Sequence, residues 1–227
     1  QIRFGLGGIK GVGEGAVEAL VLERQKNGPF KTIFDLCKRI DLRQANKKTL
    51  EGLAQAGAFD RLEGINGNRR LFFNNEDGST LLEKAIRFGN QYQSLKSQAQ
   101  SSLFGEVGVT DIPEPEIVPC EPWPLLEKLQ KEKEVVGIFI TAHPLDAFKY
   151  DIEKFTNVGL RDIEEKVGRD MVFAGLVTEV TYFQDPKTNN ETIVFTVEDY
   201  DTVRKLRLKG EQAMKYKHLV MVGTALL

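Results

Sequence analysis

Apolar residues recur at helical spacing through the first part of the chain and alternate with polar ones through its last part. Over 13–26, Ala16, Val17, Leu20 and Val21 predict an amphipathic helix. Asn27-Gly28-Pro29 stops it. A short helix is predicted near 32–39, where Ile33, Phe34, Leu36 and Cys37 are apolar. Asn46 reads as the N-cap of a helix over 47–55 that ends at Gly57. Asn66-Gly67-Asn68 opens another through Phe73. Ser79-Thr80 precedes a long helix over 81–95, with Leu82, Ala85, Ile86 and Leu95 on one side.

The texture then changes. Residues 97–102 are small and polar. Pro113, Pro115, Pro119, Pro122 and Pro124 make 111–124 extended, because proline cannot continue a helix. A helical pattern resumes over 125–134, 135–141 is apolar, and His143-Pro144-Leu145 is a turn. From Met171 the period becomes two. Val172, Ala174, Leu176, Val180 and Tyr182 are expected on one strand face. A loop covers 185–190, then Ile193, Phe195 and Val197 alternate with polar residues. A third strand is expected over 203–208, a helical turn over 210–216 and a fourth strand over 218–223.

The fold class is therefore α+β and multidomain: an all-helical front, then a β-rich barrel with the strand order of an OB fold. The chain stops at about the fourth strand, so the barrel's last strand is absent from the pattern. The expected domains are a helical one over 1–105, a proline-rich linker over 106–124, a helical connector over 125–170 and the truncated OB domain over 171–227.

Charge changes this picture only locally. The 227 residues carry 31 Lys and Arg against 33 Asp and Glu, a net charge of −2. Residues 1–73 hold 13 basic and 8 acidic groups; residues 111–170 hold 8 and 14. A basic front is compatible with phosphate contact and equally with a solvated surface. Two cysteines, Cys37 and Cys120, exclude a disulfide scaffold and a Cys-rich zinc site, and fit a reducing cytoplasm. No apolar run reaches the roughly 18 residues of a membrane span. Gln1 in place of Met, no targeting segment and an apolar close at Leu227 read as a piece of a longer protein.

The sharpest local feature is Ile9-Lys10-Gly11-Val12-Gly13-Glu14-Gly15, a glycine-rich turn directly before a helix. Such a turn aims backbone amides outward at a helix N-terminus, where a phosphate oxygen binds, and Lys10 adds a charge. No Gly-Lys-Ser/Thr closes it as a P-loop, and no strand precedes it as in a dinucleotide fingerprint. It has the form of a helix-hairpin-helix turn, which grips DNA phosphates without reading bases. Structural turns are also glycine-rich. A second turn at Gly57-Ala58 is either a plain helix C-cap or the degenerate partner of the first, with Lys47, Lys48, Arg61, Arg69 and Arg70 nearby to add charge.

Gln100-Ser101-Ser102-Leu103-Phe104 places two apolar anchors beside a Gln amide in a small-residue stretch. That is a peptide-docking pattern, unless Leu103 and Phe104 tuck back onto this chain. On the third strand Lys205, Arg207 and Lys209 share a face, and Tyr182 and Phe183 sit at the rim of the 185–190 loop. Cations beside exposed aromatics suit single-stranded nucleic acid. His143 has no nucleophile or carboxylate constellation around it, and Asp199 and Asp201 read as turn formers. No catalytic or metal site is expected.

In this order the parts resemble the catalytic alpha subunit of bacterial replicative DNA polymerase III. The resemblance rests on IRFGLGGIKGVGEGAVEAL at 2–20, GPFKTIFDLCKRID at 28–41, NKKTLEGLAQAGAFD at 46–60, QSSLFG at 100–105, EKEVVGIFITAHPL at 132–145 and FAGLVTEV at 173–180. It implies a C-terminal fragment of a DNA-directed DNA polymerase, with tandem helix-hairpin-helix, a clamp-binding peptide and an OB domain. The implied partners are duplex DNA, single-stranded DNA, the beta sliding clamp and other replisome subunits, in the bacterial cytoplasm. Lys10, Gly11, Val12, Gly13 and Gly15 would contact DNA, and Gln100, Leu103 and Phe104 would enter the clamp pocket. The polymerase aspartates and their magnesium would lie upstream, so no cofactor is expected here. An assembly module that docks the polymerase core to accessory subunits, with little DNA contact, is the other reading.

Overall fold

The computed structural model describes residues 4–76, 78–101 (backbone alone over 99–101), 112–184 and 191–227. The chain divides into two compact units, Gln1–Ile140 and Thr141–Leu227.

The first unit is helical: α1 (Glu14–Asn27), α2 (Ile33–Arg39), α3 (Lys47–Gln55), α4 (Leu81–Ser101) and α5 (Leu125–Val136). Their starts follow the local chemistry. Thr32, Asn46 and Thr80 each accept an amide of the following helix: Asp35 N–H at 2.9 Å, Thr49 N–H at 3.1 Å and Glu83 N–H at 3.2 Å. Glu83 answers by accepting Thr80 N–H at 2.9 Å, so α4 opens with a reciprocal capping pair. Ile33, Phe34, Leu36 and Cys37 of α2 meet Leu82, Ala85 and Phe88 of α4 in one core, with Phe34 edge-on to Phe88 at 5.6 Å. Each large side chain so buried stabilises the unit by about 1.5–3 kcal/mol. The helix expected from Asn68 to Phe73 is a short 3-10 turn, Arg69–Phe72.

Residues 112–124 form neither helix nor strand and lie against the helical core. Ile112, Ile117 and Cys120 pack on it, Asn68 Nδ2 donates to Cys120 O at 2.7 Å, and Trp123 stacks on Phe73 at 5.3 Å. Lys38 pairs with Glu114 at 2.8 Å.

The second unit holds α6 (Lys149–Phe155) and a four-stranded antiparallel sheet that curls as a half-barrel of OB type: β1 (Gly175–Gln184), β2 (Glu191–Glu198), β3 (Val203–Lys209) and β4 (Ala225–Leu226), in the order β3-β2-β1-β4. Helix α7 (Glu211–Tyr216) precedes β4. Two expectations change. The fourth strand lies at Ala225–Leu226 and 218–223 is turns, because the chain regains β1 only where Gly223 N–H donates to Val177 O at 2.8 Å. A register shift in β1 between Val177 and Glu179 breaks the simple alternation. Val177 pairs with Val197 and Tyr182 with Ile193 on the core side, so Val177 takes the place expected of Leu176.

Candidate nucleic-acid interface

The first glycine turn is built by two buried anchors. Ile9 and Val12 enter the helical core, and Lys10, Gly11, Gly13 and Gly15 stay exposed. Gly11 has φ +83°, a conformation that favours glycine. Helix α3 holds the turn from one side: Thr49 Oγ1 donates to Gly11 O at 3.2 Å, and Gly52 lets Lys10 O approach to within 3.0 Å of where a Cβ would be. Helix α5 holds it from another, accepting Lys10 N–H on Val135 O at 2.7 Å. That carbonyl is one of the four a helix C-terminus leaves without an internal partner.

What remains is a cluster of donors. Gly13 is the extended N-cap of α1 and offers no side chain. The amides of Gly11, Gly13, Glu14 and Gly15 meet no acceptor among the described residues. They gather at the positive end of the α1 dipole. The Lys48 methylenes lie 3.5–4.0 Å from the position a Cβ on Gly11 would take, so its ammonium flanks the turn as Lys10 does. Glu14 puts an exposed carboxylate at the same end. Two of the proposed contact amides are consumed by the fold: Lys10 N–H on Val135 and Val12 N–H on Ile9 O at 3.1 Å. Val12 is a core residue, and Lys10 can contribute only its side chain.

The second turn is of another kind. Gly57, at φ +83°, donates to Ala54 O at 3.1 Å, and Ala58 N–H donates to Leu53 O at 2.9 Å. This is a Schellman cap that closes α3 and spends both amides, so Gly57 and Ala58 present no free donor to a phosphate. Beneath Gly57 lies Arg69, 4 % exposed. Its guanidinium donates to Asp60 (Nη2 to Oδ2, 2.8 Å), to Gln55 O (2.9 Å) and to Glu132 of α5 (Nη1 to Oε2, 2.8 Å), and Glu132 is fully buried. Burial pulls the Arg69 pKa down, but the hydrogen bonds to Asp60 and Glu132 outweigh it and the net shift is upward. Arg69 is thus a core residue rather than a surface charge. Lys47 is also engaged: its ammonium meets Glu83 at 2.8 Å and Glu51 at 3.7 Å, and the Glu83 hydrogen bond raises its pKa. Arg70 Nη1 reaches Glu121 O at 3.4 Å, and Arg61 is exposed.

In the second unit Lys205, Arg207 and Lys209 share one exposed face of β3, while Leu206 and Leu208 turn to the core. Pairing continues that face to Thr196, Val194 and Thr192 of β2 and to Glu179, Thr181 and Phe183 of β1. Phe183, 55 % exposed, therefore joins the cations. Tyr182 does not: its hydroxyl donates to Val220 O at 3.4 Å, and Lys217 lies 5.4 Å above its ring.

Gln100 lies in the last turn of α4; Leu103 and Phe104 fall outside the described residues. His143 Nδ1 accepts Leu145 N–H at 3.2 Å and caps a 3-10 turn. Asp199 accepts Asp201, Thr202 and Leu160 amides at 2.7–3.0 Å, a turn-forming role. The Arg69–Glu132 pair was not read from the sequence, although Leu129, Glu132 and Val136 fall at core spacing on α5 and mark the glutamate as buried.

A family model described as a helix-hairpin-helix motif matches residues 1–71. Among curated proteins, the DNA polymerase III subunit alpha of Escherichia coli O157:H7 is 33 % identical over 97 % of this chain and 18 % of its own length. That of Vibrio cholerae is 35 % identical over 78 % of the chain and 15 % of its own length, and that of Haemophilus influenzae 31 % over 100 % and 19 %. The chain thus spans less than a fifth of the length of the relatives it matches.

Proposed function

We propose that this chain, which belongs to the DNA polymerase III alpha subunit family, is the region that holds the polymerase on DNA. The observation that carries this reading is the set of amides at the exposed residues Gly11, Gly13, Glu14 and Gly15, without an acceptor among the described residues and flanked by Lys10 and Lys48. Donors fixed in this way donate to the phosphate oxygens of a duplex DNA backbone and ignore base identity. The exposed β3 face, with Phe183 at its far edge, takes single-stranded DNA by stacking and phosphate tracking. Gln100, Leu103 and Phe104 dock on the sliding clamp. Each contact is weak alone, and together they act at high effective concentration, which gives processivity in the bacterial cytoplasm without any bond-making step in this region.

The test is a fluorescence-anisotropy titration of labelled duplex DNA over a range of salt. Affinity is expected to fall steeply with salt and to vary little between sequences. Gly13→Pro removes one donor at a backbone, φ −76° and ψ 153°, that proline accepts, and Gly13→Ala keeps the donor. Weaker binding by the proline variant alone supports the reading. Salt-independent binding, or equal affinity of the two variants, refutes it.

A further inference from the structure

Helix α5 touches both turns within one helical turn of its own length. Glu132 Oε2 accepts Arg69, which fills the space under Gly57; its Oε1 accepts Ile140 N–H at 2.6 Å; and three residues on, Val135 O accepts Lys10 N–H. The carboxylate is fully buried, so its orientation is fixed by these partners rather than by solvent. A buried ion pair is a costly way to gain stability, because apolar residues of the same volume serve as well. It does fix register: Glu132 holds Arg69, Arg69 donates to Gln55 O at the end of α3, and this relay sets α5 against α3 at the height where Val135 O receives the glycine turn. Helix α3 completes the frame through Thr49 and Gly52.

We infer that Glu132 is a positioning residue for the phosphate-binding turn, acting through Arg69 and α5 on the amides at Gly11 and Gly13. This rests on the proposed DNA contact. It makes the sequence that follows the proline run part of the binding element rather than a connector, and it gives the closed second turn a role as the anchor of the open first one.

The experiment uses the full chain, isotopically labelled, with Glu132→Gln. Three readouts are taken: Trp123 fluorescence for folding, the Gly11 and Gly13 amide resonances with their exchange rates, and duplex affinity across salt. The amide resonances should shift, and affinity should fall about tenfold, the effect of one charge-assisted hydrogen bond. The salt slope should not change, because no phosphate-facing cation has been removed. If Glu132→Gln does not fold, the double variant Arg69→Met/Glu132→Leu, which fills the same space with apolar groups, takes its place under the same readouts. A folded variant whose Gly11 and Gly13 resonances stay where they were overturns the inference. If the unmodified chain fails to bind duplex DNA, the proposed function falls, and the amide shifts alone decide the role of Glu132.

Discussion

Replacing Gly57 by alanine asks how firmly the second turn is closed. Gly57 sits at φ +83°, and a Cβ there would overlap the Arg69 guanidinium. Gly137, the left-handed C-cap of α5 at φ +87° and ψ −16°, has nothing within 4 Å of the added carbon. Both substitutions place an L side chain in the left-handed region, at about 1–2 kcal/mol. Only Gly57→Ala must also move Arg69. The far end of an arginine usually swings aside at small cost, but this one is held by Asp60, Gln55 O and Glu132 in the core. Displacing it leaves the Glu132 carboxylate buried without its cation, a loss of about 3–5 kcal/mol. Gly57→Ala should therefore destabilise the helical unit by that much more than Gly137→Ala. Trp123 is the chain's one tryptophan and stacks on Phe73, so its fluorescence reports this unit in urea. With a slope of about 2 kcal/mol/M, the Gly57→Ala midpoint should lie about 2 M below that of Gly137→Ala. Equal midpoints would show that Arg69 relaxes freely, and the account of the second turn as a charge-locked anchor would fail.

The other predictions separate engaged charges from free ones. Lys48→Gln should lower the salt slope of duplex binding by about 0.9, the effect of one lost phosphate contact, and Lys47→Gln, whose ammonium already faces Glu83, should leave it unchanged. Phe183→Ala should weaken oligo-dT binding by about 1–3 kcal/mol, while Tyr182→Phe, on the opposite face, should not; equal losses would refute the assignment of faces. Leu103→Ala with Phe104→Ala should abolish sliding-clamp binding in a pull-down and spare duplex affinity. Glu83 has its pKa lowered to about 2, first by the Lys47 hydrogen bond and then by the Thr80 amide. Its stabilising effect is therefore present above pH 4.5 and is lost as pH falls toward 2. Acid unfolding of Glu83→Gln should lack that component, and an unaltered acid profile would contradict the capping role.

Local chemistry was enough to place most elements. Helices α1, α2 and α3 start within a residue or two of their predicted positions, because caps such as Asn46 and breakers such as Asn27-Gly28-Pro29 act over a few residues. The glycine turn before α1 and the alternation of Lys205, Arg207 and Lys209 were legible for the same reason. What the sequence left open depends on partners distant in the chain. Whether an amide is free or taken cannot be read from its own neighbours: Lys10 N–H is taken by Val135, and Gly13 N–H meets no acceptor among the described residues. Arg69 and Arg70 stand side by side, yet only Arg69 is buried, because Glu132, 63 residues away, meets it. The bulge in β1 and the late start of β4 arise from strand pairing, which a period-two pattern does not encode. Short-range propensity thus placed most of the helices and strands. Packing between segments decided which of two similar turns stays open to solvent, since a buried donor must find an acceptor and an exposed one need not.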